Sequence, residues 1–372
     1  MKKYSISIII LVMSLFLAYN ADAQSKESDT GRPIWVLGHA CNSHRSIWGA
    51  IDDHANGVEI DVATNEANKL TDWSVAHKGY VSKETRKSKN AGIKDPLDHY
   101  VSLEEFLKFP DIEEISILWL DIKTPKYAPE LVQYVHRVLR ERYYDKKTKQ
   151  LKVPISIIYG FYNYRELEAK VNDKEGKDKR SICAWFRDSL WANEGINLAY
   201  EGTYYAVNWS GTRAQIQKLM TDNNFPIKQH FMTNGLGAGW LVGQSSWRWQ
   251  HIIDSGKDMR NDKYCARTGF WTCTSPKHGV QCVVSEADDP NHDFLRKGKN
   301  VECDVVLIEC RSDFFPGRVF PYIHNPQSLK LFTSQFFNKD GQWYKYNNGH
   351  YRRANRYDKF YITYSDPDRI KN

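Results

Sequence analysis

Short hydrophobic runs, rich in β-branched and aromatic residues, recur along the chain and alternate with helical or irregular stretches. Runs of this length and composition are typical of buried strands. Eight such strands that alternate with helices predict an α/β fold, a (β/α)8 TIM barrel. The eight strand candidates are Ile34–Leu37, Val58–Val62, Ile115–Ile122, Ile155–Phe161, Tyr204–Val207, His230–Thr233, Phe270–Cys273 and Asp304–Ile308.

The clearest helices between these strands are predicted at Leu103–Phe109 and Ala128–Tyr144. In the second, four apolar residues recur at helical spacing and share one face. They are Leu131, Val135, Val138 and Leu139.

Two charged stretches, Asp145–Lys152 and Asn172–Arg180, are predicted to be solvated loops or helix ends. From about residue 313 the chain is aromatic and basic. We expect a helix that packs on the barrel there, followed by an irregular tail, as a C-terminal extension.

The first residues have the features of a secretory signal peptide. Two lysines precede an apolar run at Ile6–Ala18, and the small residues at 21–23 fit a cleavage site before Gln24. The run is too short to span a bilayer comfortably, and an uncleaved membrane anchor is the alternative. We therefore expect a signal peptide at 1–23, a short linker at 24–31 and a single catalytic barrel at 32–372, secreted or periplasmic.

The formal charge of +7 is modest and spread along the chain, and it becomes +6 once two lysines and Asp22 leave with the signal peptide. Such an excess does not indicate nucleic-acid binding and only weakly favours an anionic or lipid surface. We expect a monomer that acts on lipid at a membrane surface, with no nucleic-acid partner and no transmembrane segment after cleavage.

The chain has seven cysteines, and five of them crowd into residues 265–310. Because disulfides persist outside the cytosol, one or two bridges are expected there, and the odd count leaves at least one free or intermolecular thiol. No pair has C-x-x-C spacing, which argues against a zinc site. The five are Cys265, Cys273, Cys282, Cys303 and Cys310.

Carboxylates mark the ends of two strand candidates. Glu59 and Asp61 lie two residues apart, so their side chains point to the same face, and Asp121 and Lys123 have the same spacing. If the strands are neighbours in a parallel barrel, three carboxylates converge on a hole that suits Mg²⁺. A lysine beside them suits a phosphate, which indicates metal-assisted phosphodiester chemistry. The alternative is that Glu59 and Asp61 are ordinary polar residues at a strand end.

Two of the twelve histidines, His39 and His77, directly follow apolar strand-like runs. Imidazoles on either side of a scissile phosphate can act as base and acid near neutral pH. The alternative is that they are surface or core histidines, as most are. No G-x-S-x-G motif is present, which removes the usual lipase elbow.

Several motifs in order resemble the spider-venom sphingomyelinase D family and its actinobacterial phospholipase D toxin relatives. They are Arg32–His39, Val58–Asp61, Ala76–Gly79, Trp119–Pro125, Ile158–Tyr162 and Gly269–Thr272. The resemblance implies a distorted (β/α)8 barrel related to glycerophosphodiester phosphodiesterases. It implies Mg²⁺ held by three carboxylates and an acid–base or nucleophile pair of histidines. Those residues are Glu59, Asp61, Asp121, His39 and His77.

The resemblance also implies two substrate contacts, Lys123 at the phosphate and Trp271 at the choline. An indole face binds a quaternary ammonium well, although Trp271 is alternatively a core residue of the seventh strand. The family is understood to release choline through attack by a neighbouring hydroxyl of the lipid, which gives a cyclic phosphate.

The chain departs from the venom pattern at three places. The loop Lys78–Gly92 has no cysteine, whereas the venom enzymes carry a bridge there. The family's C-terminal plug closes the barrel, and its nearest match here, Ile362–Asp368, lacks the tryptophan. Gly269 stands where venom enzymes have an aromatic residue, so headgroup preference is expected to differ.

Three functions follow from these patterns. The first is a secreted Mg²⁺-dependent phospholipase D-type lyase acting on sphingomyelin or lysophospholipids. The second is a glycerophosphodiester phosphodiesterase that hydrolyses soluble diesters with water. The third is a binding protein on a decayed barrel, which the presence of all three carboxylates and both histidines disfavours.

Overall fold

The computed structural model describes residues 32–145, 147, 150–151, 155–171, 178–188, 196–202, 209–225, 230–235, 267–273, 303–309, 329–330, 333 and 351–354. In chain order its strands are β1 (Arg32–His39), β2 (Gly57–Ala63), β3 (Ser74–Val75), β4 (Ile117–Ile122), β5 (Tyr144–Asp145), β6 (Gln150–Leu151), β7 (Ser156–Phe161), β8 (Ile196–Gly202), β9 (His230–Gly235), β10 (Arg267–Cys273), β11 (Val305–Glu309) and β12 (Tyr351–Arg353).

Eight of these strands form a closed parallel ring. They pair in the order β1, β2, β4, β7, β8, β9, β10 and β11, and β11 pairs again with β1. The predicted (β/α)8 barrel is therefore confirmed. All eight carboxyl ends meet at one end of the ring, which is where barrel enzymes place their active sites.

Seven of the eight predicted strands coincide with ring strands, and the strand β8 was not predicted. The strand between β7 and β9 is β8, which ends at Gly202. The predicted run Tyr204–Val207 lies outside the described residues. The sequence pattern favoured a strand at 204–207, which has aromatic and β-branched residues, over the more mixed run at 196–202. Composition alone did not identify β8, because β propensity reflects packing and burial more than backbone preference.

The helices of the described part are His44–Asp52, Lys83–Asn90, Leu103–Leu107, Ala128–Tyr143, Tyr164–Glu168, Ile182–Asp188 and Trp209–Asp222, with 3-10 turns at Pro96–Asp98, Pro110–Glu114 and Pro125–Tyr127. Both predicted helices are present, and the predicted face of Ala128–Tyr143 is buried. One predicted loop, Asp145–Lys152, instead includes an antiparallel pairing of β5 with β6.

Strand residues alternate between two buried layers. On β2 and β4 the outward set, which packs in the layer shared with the helices, is Val58, Ile60, Val62, Leu118, Leu120 and Ile122. The inward layer of the ring contains Trp35, Leu37, Ile117, Trp119, Ile158, Phe231, Val305 and Leu307. Since neighbours along a strand point to opposite faces, Glu59, Asp61 and Asp121 belong to the inward set.

Trp119 fills the ring interior directly below the carboxylates, and its close approach requires a glycine on the neighbouring strand β7. Trp119 lies two residues before Asp121, and Asp121 is paired with Gly160 of β7. A Cβ on Gly160 would lie 2.3 Å from Trp119 Nε1, so only glycine allows this close approach.

The amino end of the ring holds a buried ion pair. Arg267 Nη1 lies 3.5 Å from Asp304 Oδ1, and the Arg267 guanidinium lies 4.6 Å from the centre of the Trp35 ring. Asp304 Oδ2 accepts a hydrogen bond from Thr268 N at 3.0 Å. Arg267 and Asp304 are 2% and 1% exposed, so each charge depends on the other for its solvation.

A C-terminal strand covers the same amino end. β12 pairs in parallel with the first residues of β1, and Asn56 Nδ2 donates a 2.7 Å hydrogen bond to Ala354 O. The predicted plug match, Ile362–Asp368, lies outside the described residues, as does most of the predicted tail.

The predicted disulfides are only partly within the described structure. Cys41, Cys183 and Cys303 are buried thiols, and Cys303 Sγ donates to Val305 O at 3.1 Å. Cys265, Cys282 and Cys310, and the side chain of Cys273, lie outside the described residues. Among the described helices none has the length and apolarity needed to cross a membrane.

Candidate active site

Two adjacent strands position the acidic residues. Glu59 and Asp61 are the third and fifth residues of β2, and Asp121 is the fifth residue of β4. The register pairs Asp61 directly with Asp121 and Glu59 with Trp119. The predicted convergence of the three carboxylates at the carboxyl end of the ring is therefore present in the structure.

These three carboxylates can hold a metal ion. One oxygen from each of Glu59, Asp61 and Asp121 lies within 4.8 Å of the other two, and the exposed fractions of the three residues are 2%, 2% and 9%. Asp121 Oδ1 is buried and has no hydrogen-bond partner within the described structure. A buried carboxylate oxygen without a donor is costly, and a cation would satisfy it.

Lys123 partly neutralises this acidic cluster. Its Nζ lies 2.7 Å from Asp61 Oδ1 and also contacts Asp121 Oδ2. Burial by itself would lower the pKa of Lys123, but the carboxylates of Asp121 and Asp61 raise it above its ordinary value. The ammonium of Lys123 therefore offsets part of the negative charge of the carboxylates.

The two predicted histidines lie beside the cluster. His39 is the last residue of β1, and its Nε2 is 3.8 Å from Glu59 Oε2. His77 follows the short strand β3, which pairs antiparallel with β2, and its Nδ1 is 3.1 Å from Asp61 Oδ1. The hydrogen bond to Asp61 raises the pKa of His77. His77 is half exposed, so it is accessible to a substrate.

Burial pushes the pKa values of the carboxyl groups apart. Desolvation and the charge of Asp61 raise the pKa of Glu59 to about 7, and desolvation also raises the pKa of Asp121. Burial acts the same way on Asp61, but hydrogen bonds and charge from His77 and Lys123 outweigh it and lower the Asp61 pKa. Such divergence among neighbouring carboxyls is typical of functional sites.

The turn after His39 holds the carboxylates in place, and the sequence analysis missed it. Ala40 N donates to Glu59 Oε2 at 2.5 Å. Asn42 makes two hydrogen bonds to Asp61: its Nδ2 donates to Oδ2 at 2.5 Å, and its Oδ1 accepts from the backbone N at 2.8 Å. Ala40 has a φ of 54°, a left-handed conformation that is strained for alanine. An asparagine three residues after a strand-end histidine was the available signal, because asparagine often bonds neighbouring backbone groups in turns.

Glu166 is a further carboxyl at this end of the ring that the sequence analysis missed. It is the third residue of the helix Tyr164–Glu168 and completes a capping box, in which its Oε2 accepts a hydrogen bond from Asn163 N at 3.3 Å. Burial and the charge of Asp121 raise its pKa to about 7. The spacing N-x-x-E directly after a strand could have predicted the cap, but not its proximity to Asp121.

Of the predicted substrate contacts, Trp271 is placed only by its backbone. It is the fifth residue of β10 and pairs with Gly235 of β9, and its side chain lies outside the described residues. Gly269 on the same strand has no room for a side chain, because a Cβ there would lie 2.3 Å from Phe231 Cζ. Phe231 of β9 thus fills the space that a side chain at position 269 would need.

Comparison with known proteins agrees with this arrangement. The family model described as Sphingomyelinase D/Phospholipase D matches residues 29–278, more than half of the 372-residue chain. The chain belongs to the sphingomyelinase D/phospholipase D family. The predicted resemblance is confirmed, and the matched region contains every candidate site residue named above.

Two fungal members of the family are similar to this chain at low identity. A sphingomyelinase D of Aspergillus flavus is 23% identical over 252 residues, which cover 66% of this chain and 74% of that protein. A sphingomyelinase D of Arthroderma benhamiae is 20% identical over 212 residues, and the match spans 57% of this chain and half of that protein. Membership of this family makes the chain a phospholipase D-type phosphodiesterase that acts on phospholipids.

Among solved structures, a phosphoribosyl anthranilate isomerase is similar over 80% of this chain and 96% of its own. The identity is 11% and the TM-score 0.28, so this likeness carries no argument about fold or function.

Proposed function

We propose that this protein is a secreted, Mg²⁺-dependent enzyme that removes the headgroup from sphingomyelin or lysophospholipids and leaves a cyclic phosphate. The observation that carries the proposal is the cluster of Glu59, Asp61 and Asp121, with its unpartnered Asp121 Oδ1. Lys123 and two histidines lie at its edge. This set contains what the cleavage of a phosphodiester requires: a metal site, a fixed positive charge, a base and an acid.

Glu59, Asp61 and Asp121 would hold the ion. Three hard oxygen donors suit Mg²⁺ better than zinc. When bound, the ion supplies Lewis-acid neutralisation of the phosphoryl oxygens.

The protein's own groups perform the proton transfers. One of His39 and His77 accepts the proton of the attacking lipid hydroxyl, and the other donates a proton to the departing headgroup oxygen. Asp61 orients His77 through the Nδ1 contact, and Lys123 supplies fixed positive charge for the phosphate. In this scheme Trp271 holds the choline over its indole face.

The metal is tested by its effect on stability as well as on turnover. We expect a chelator to abolish choline release from sphingomyelin and added Mg²⁺ to restore it. Mg²⁺ at 100 times its dissociation constant should stabilise the parent by about 2.7 kcal/mol. Asp121→Asn should lose that stabilisation, whereas Glu168→Gln at an exposed carboxylate should keep it. Equal Mg²⁺ stabilisation of Asp121→Asn and the parent would show that the ion binds elsewhere.

The product is tested by its phosphorus NMR spectrum. A cyclic phosphodiester is expected if a hydroxyl of the lipid attacks. A monoester would show instead that water attacks, as in hydrolysis of soluble glycerophosphodiesters.

The role of Trp271 is tested by comparing choline and ethanolamine lipids. Cation–π attraction contributes about 1–2 kcal/mol when partly desolvated, so Trp271→Ala should raise KM for choline lipids several-fold. The rise in KM should be smaller for Trp271→Phe. An equal loss on both headgroups, together with a lower melting temperature, would make Trp271 a core residue.

Secretion is tested on the exported protein. If residues 1–23 are a cleaved signal peptide, the exported protein begins at Gln24. Mass spectrometry of its N-terminus distinguishes this from an uncleaved anchor, which would retain Met1 or Lys2.

A further inference from the structure

A cavity of about 590 Å³ opens beside the candidate active site. His77 and Asn42, both of which contact Asp61, form part of its wall. The rest of the lining is mainly apolar, from Val75, Ala76, Val81, Ile93 and Tyr100. The cavity is within the usual size range of small-molecule sites and is continuous with the chemistry.

The outer wall of the cavity is a segment held by polar contacts on several sides. It runs from Tyr80 to Tyr100 and contains the helix Lys83–Asn90. Asp72 accepts hydrogen bonds from Tyr80 at 2.7 Å and from Arg86 at 2.8 Å.

Further along the segment, Asn90 and Tyr100 exchange two hydrogen bonds, and Arg45 forms ion pairs with Asp95 and Asp98. A wall fixed in this way keeps the cavity open before a ligand arrives, which lowers the ordering cost of binding.

The charges of the lining argue against a cationic ligand. Among the described residues, its lining carries the full charges of Lys78 and Lys89 and includes no carboxylate. The ammonium of Lys89 lies 4.6 Å from the centre of the Tyr100 ring, so that aromatic face already has a cation. A choline headgroup would meet positive charge here, whereas an alkyl chain attached to an anionic phosphate would meet apolar walls and a basic rim.

We propose that this cavity is a chain subsite, which takes the first part of one alkyl chain of the lipid substrate while its phosphate lies at the carboxylate cluster. The inference rests on the proposed function. It assigns the chain to the His77 side of the site, formed by the 80–100 segment. Each buried methylene contributes about 0.8 kcal/mol, equivalent to about fourfold in kcat/KM. The 80–100 segment should therefore determine the selectivity for chain length.

Gly92 allows the cavity to be filled without disturbing buried atoms. A Cβ at Gly92 would meet only Lys89 O, at 3.9 Å, which is ordinary contact. We expect Gly92→Phe to place its ring in the cavity, and Gly92→Leu to fill less of it. Ala91→Phe is the matched control, because Ala91 is exposed and does not line the cavity.

The experiment measures choline release from monomeric lysophosphatidylcholines of six, eight and ten carbons. In the parent and in Ala91→Phe, kcat/KM should rise about fourfold per added methylene until the cavity is full. Gly92→Phe should flatten this dependence while keeping the parental melting temperature, which shows that it folds. The chain-length dependence of Gly92→Leu should lie between those of the parent and Gly92→Phe. A parental chain-length dependence in both Gly92 variants would overturn the chain subsite.

A binding measurement separates this inference from the proposed function. Calorimetry with decyl phosphate should give at least tenfold weaker binding to Gly92→Phe than to the parent or Ala91→Phe. Equal binding to all three would overturn the subsite. A parent that releases no choline, but binds decyl phosphate in a Gly92-dependent way, would refute the proposed function and leave the subsite supported.

Discussion

The two ends of the barrel both bury charged side chains, yet they are built on opposite principles. At the amino end, Arg267 and Asp304 form one pair of matched charge, which is further satisfied by Thr268 N and the Trp35 ring. At the carboxyl end, Glu59, Asp61 and Asp121 face Lys123 and two histidines, and Asp121 Oδ1 has no partner within the described structure.

The difference separates stability from function. In a buried pair of opposite charges, each partner offsets the desolvation cost of the other. Breaking the pair should therefore lower the free energy of unfolding and leave the activity of the folded protein unchanged. Three buried carboxylates, one with an oxygen that lacks a partner, carry a cost that a bound cation would offset, and such costs are tolerated where they serve catalysis. The turn at Ala40–Asn42, with its left-handed alanine, supports the second end by holding two carboxylates in place.

The largest effect is expected from breaking the amino-end pair. Arg267→Met leaves Asp304 buried without its partner, which should cost about 3–5 kcal/mol of unfolding free energy in urea denaturation. The double variant Arg267→Met/Asp304→Asn should recover part of that loss, because neither charge remains. The activity of the folded fraction should match the parent. A large drop in that activity would mean that the two ends are not independent.

The next effect is on catalysis at the carboxyl end. His39→Ala and His77→Ala should each lower turnover by about two orders of magnitude or more, the usual size of an acid–base contribution, with little change in melting temperature. His136→Ala, on the helix Ala128–Tyr143, serves as the control. Near-parental turnover in either folded variant would remove that histidine from the mechanism.

A smaller effect is expected from Asn42. Asn42→Ala removes both hydrogen bonds to Asp61, and loss of such a supporting contact lowers metal affinity about 10–100-fold. The readout is the Mg²⁺ concentration needed to raise the melting temperature, measured beside Asn65→Ala at an exposed asparagine. Unchanged Mg²⁺ dependence would limit Asn42 to holding the turn.

The smallest effect concerns Glu166, on the helix that follows β7. Its pKa is raised from 4.5 to about 7, so ionisation is harder in the folded state and stability falls as pH rises through this interval. Glu166→Gln keeps a side chain that can cap the helix but removes the charge. Its melting temperature relative to the parent should therefore increase between pH 5 and pH 8. The same pH dependence in Glu168→Gln would show that the effect comes from net charge alone.

Much of the fold could be predicted because strand composition and spacing reflect local physics. Runs such as Ile115–Ile122 are bounded, apolar and β-branched, and they became ring strands within a residue or two. The strand at 196–202 was missed because its pattern is more mixed, and its place is fixed by pairing with β7 and β9. The helix Lys83–Asn90 was also missed, although Ser82 caps it, because its residues are almost all polar.

The sequence by itself determined the chemistry available at the site. The two-residue spacing of Glu59 and Asp61 placed both on one strand face, and strand-end positions placed His39 and Asp121 near the same edge. Only the tertiary structure decided what those groups do to one another. The pairing of Asp61 with Asp121, the hydrogen bonds from Asn42 and the wall of the cavity all join residues distant in sequence. A local pattern can determine which face of a strand a side chain occupies. The distances between side chains on different strands are set only when the strands pair and the ring closes.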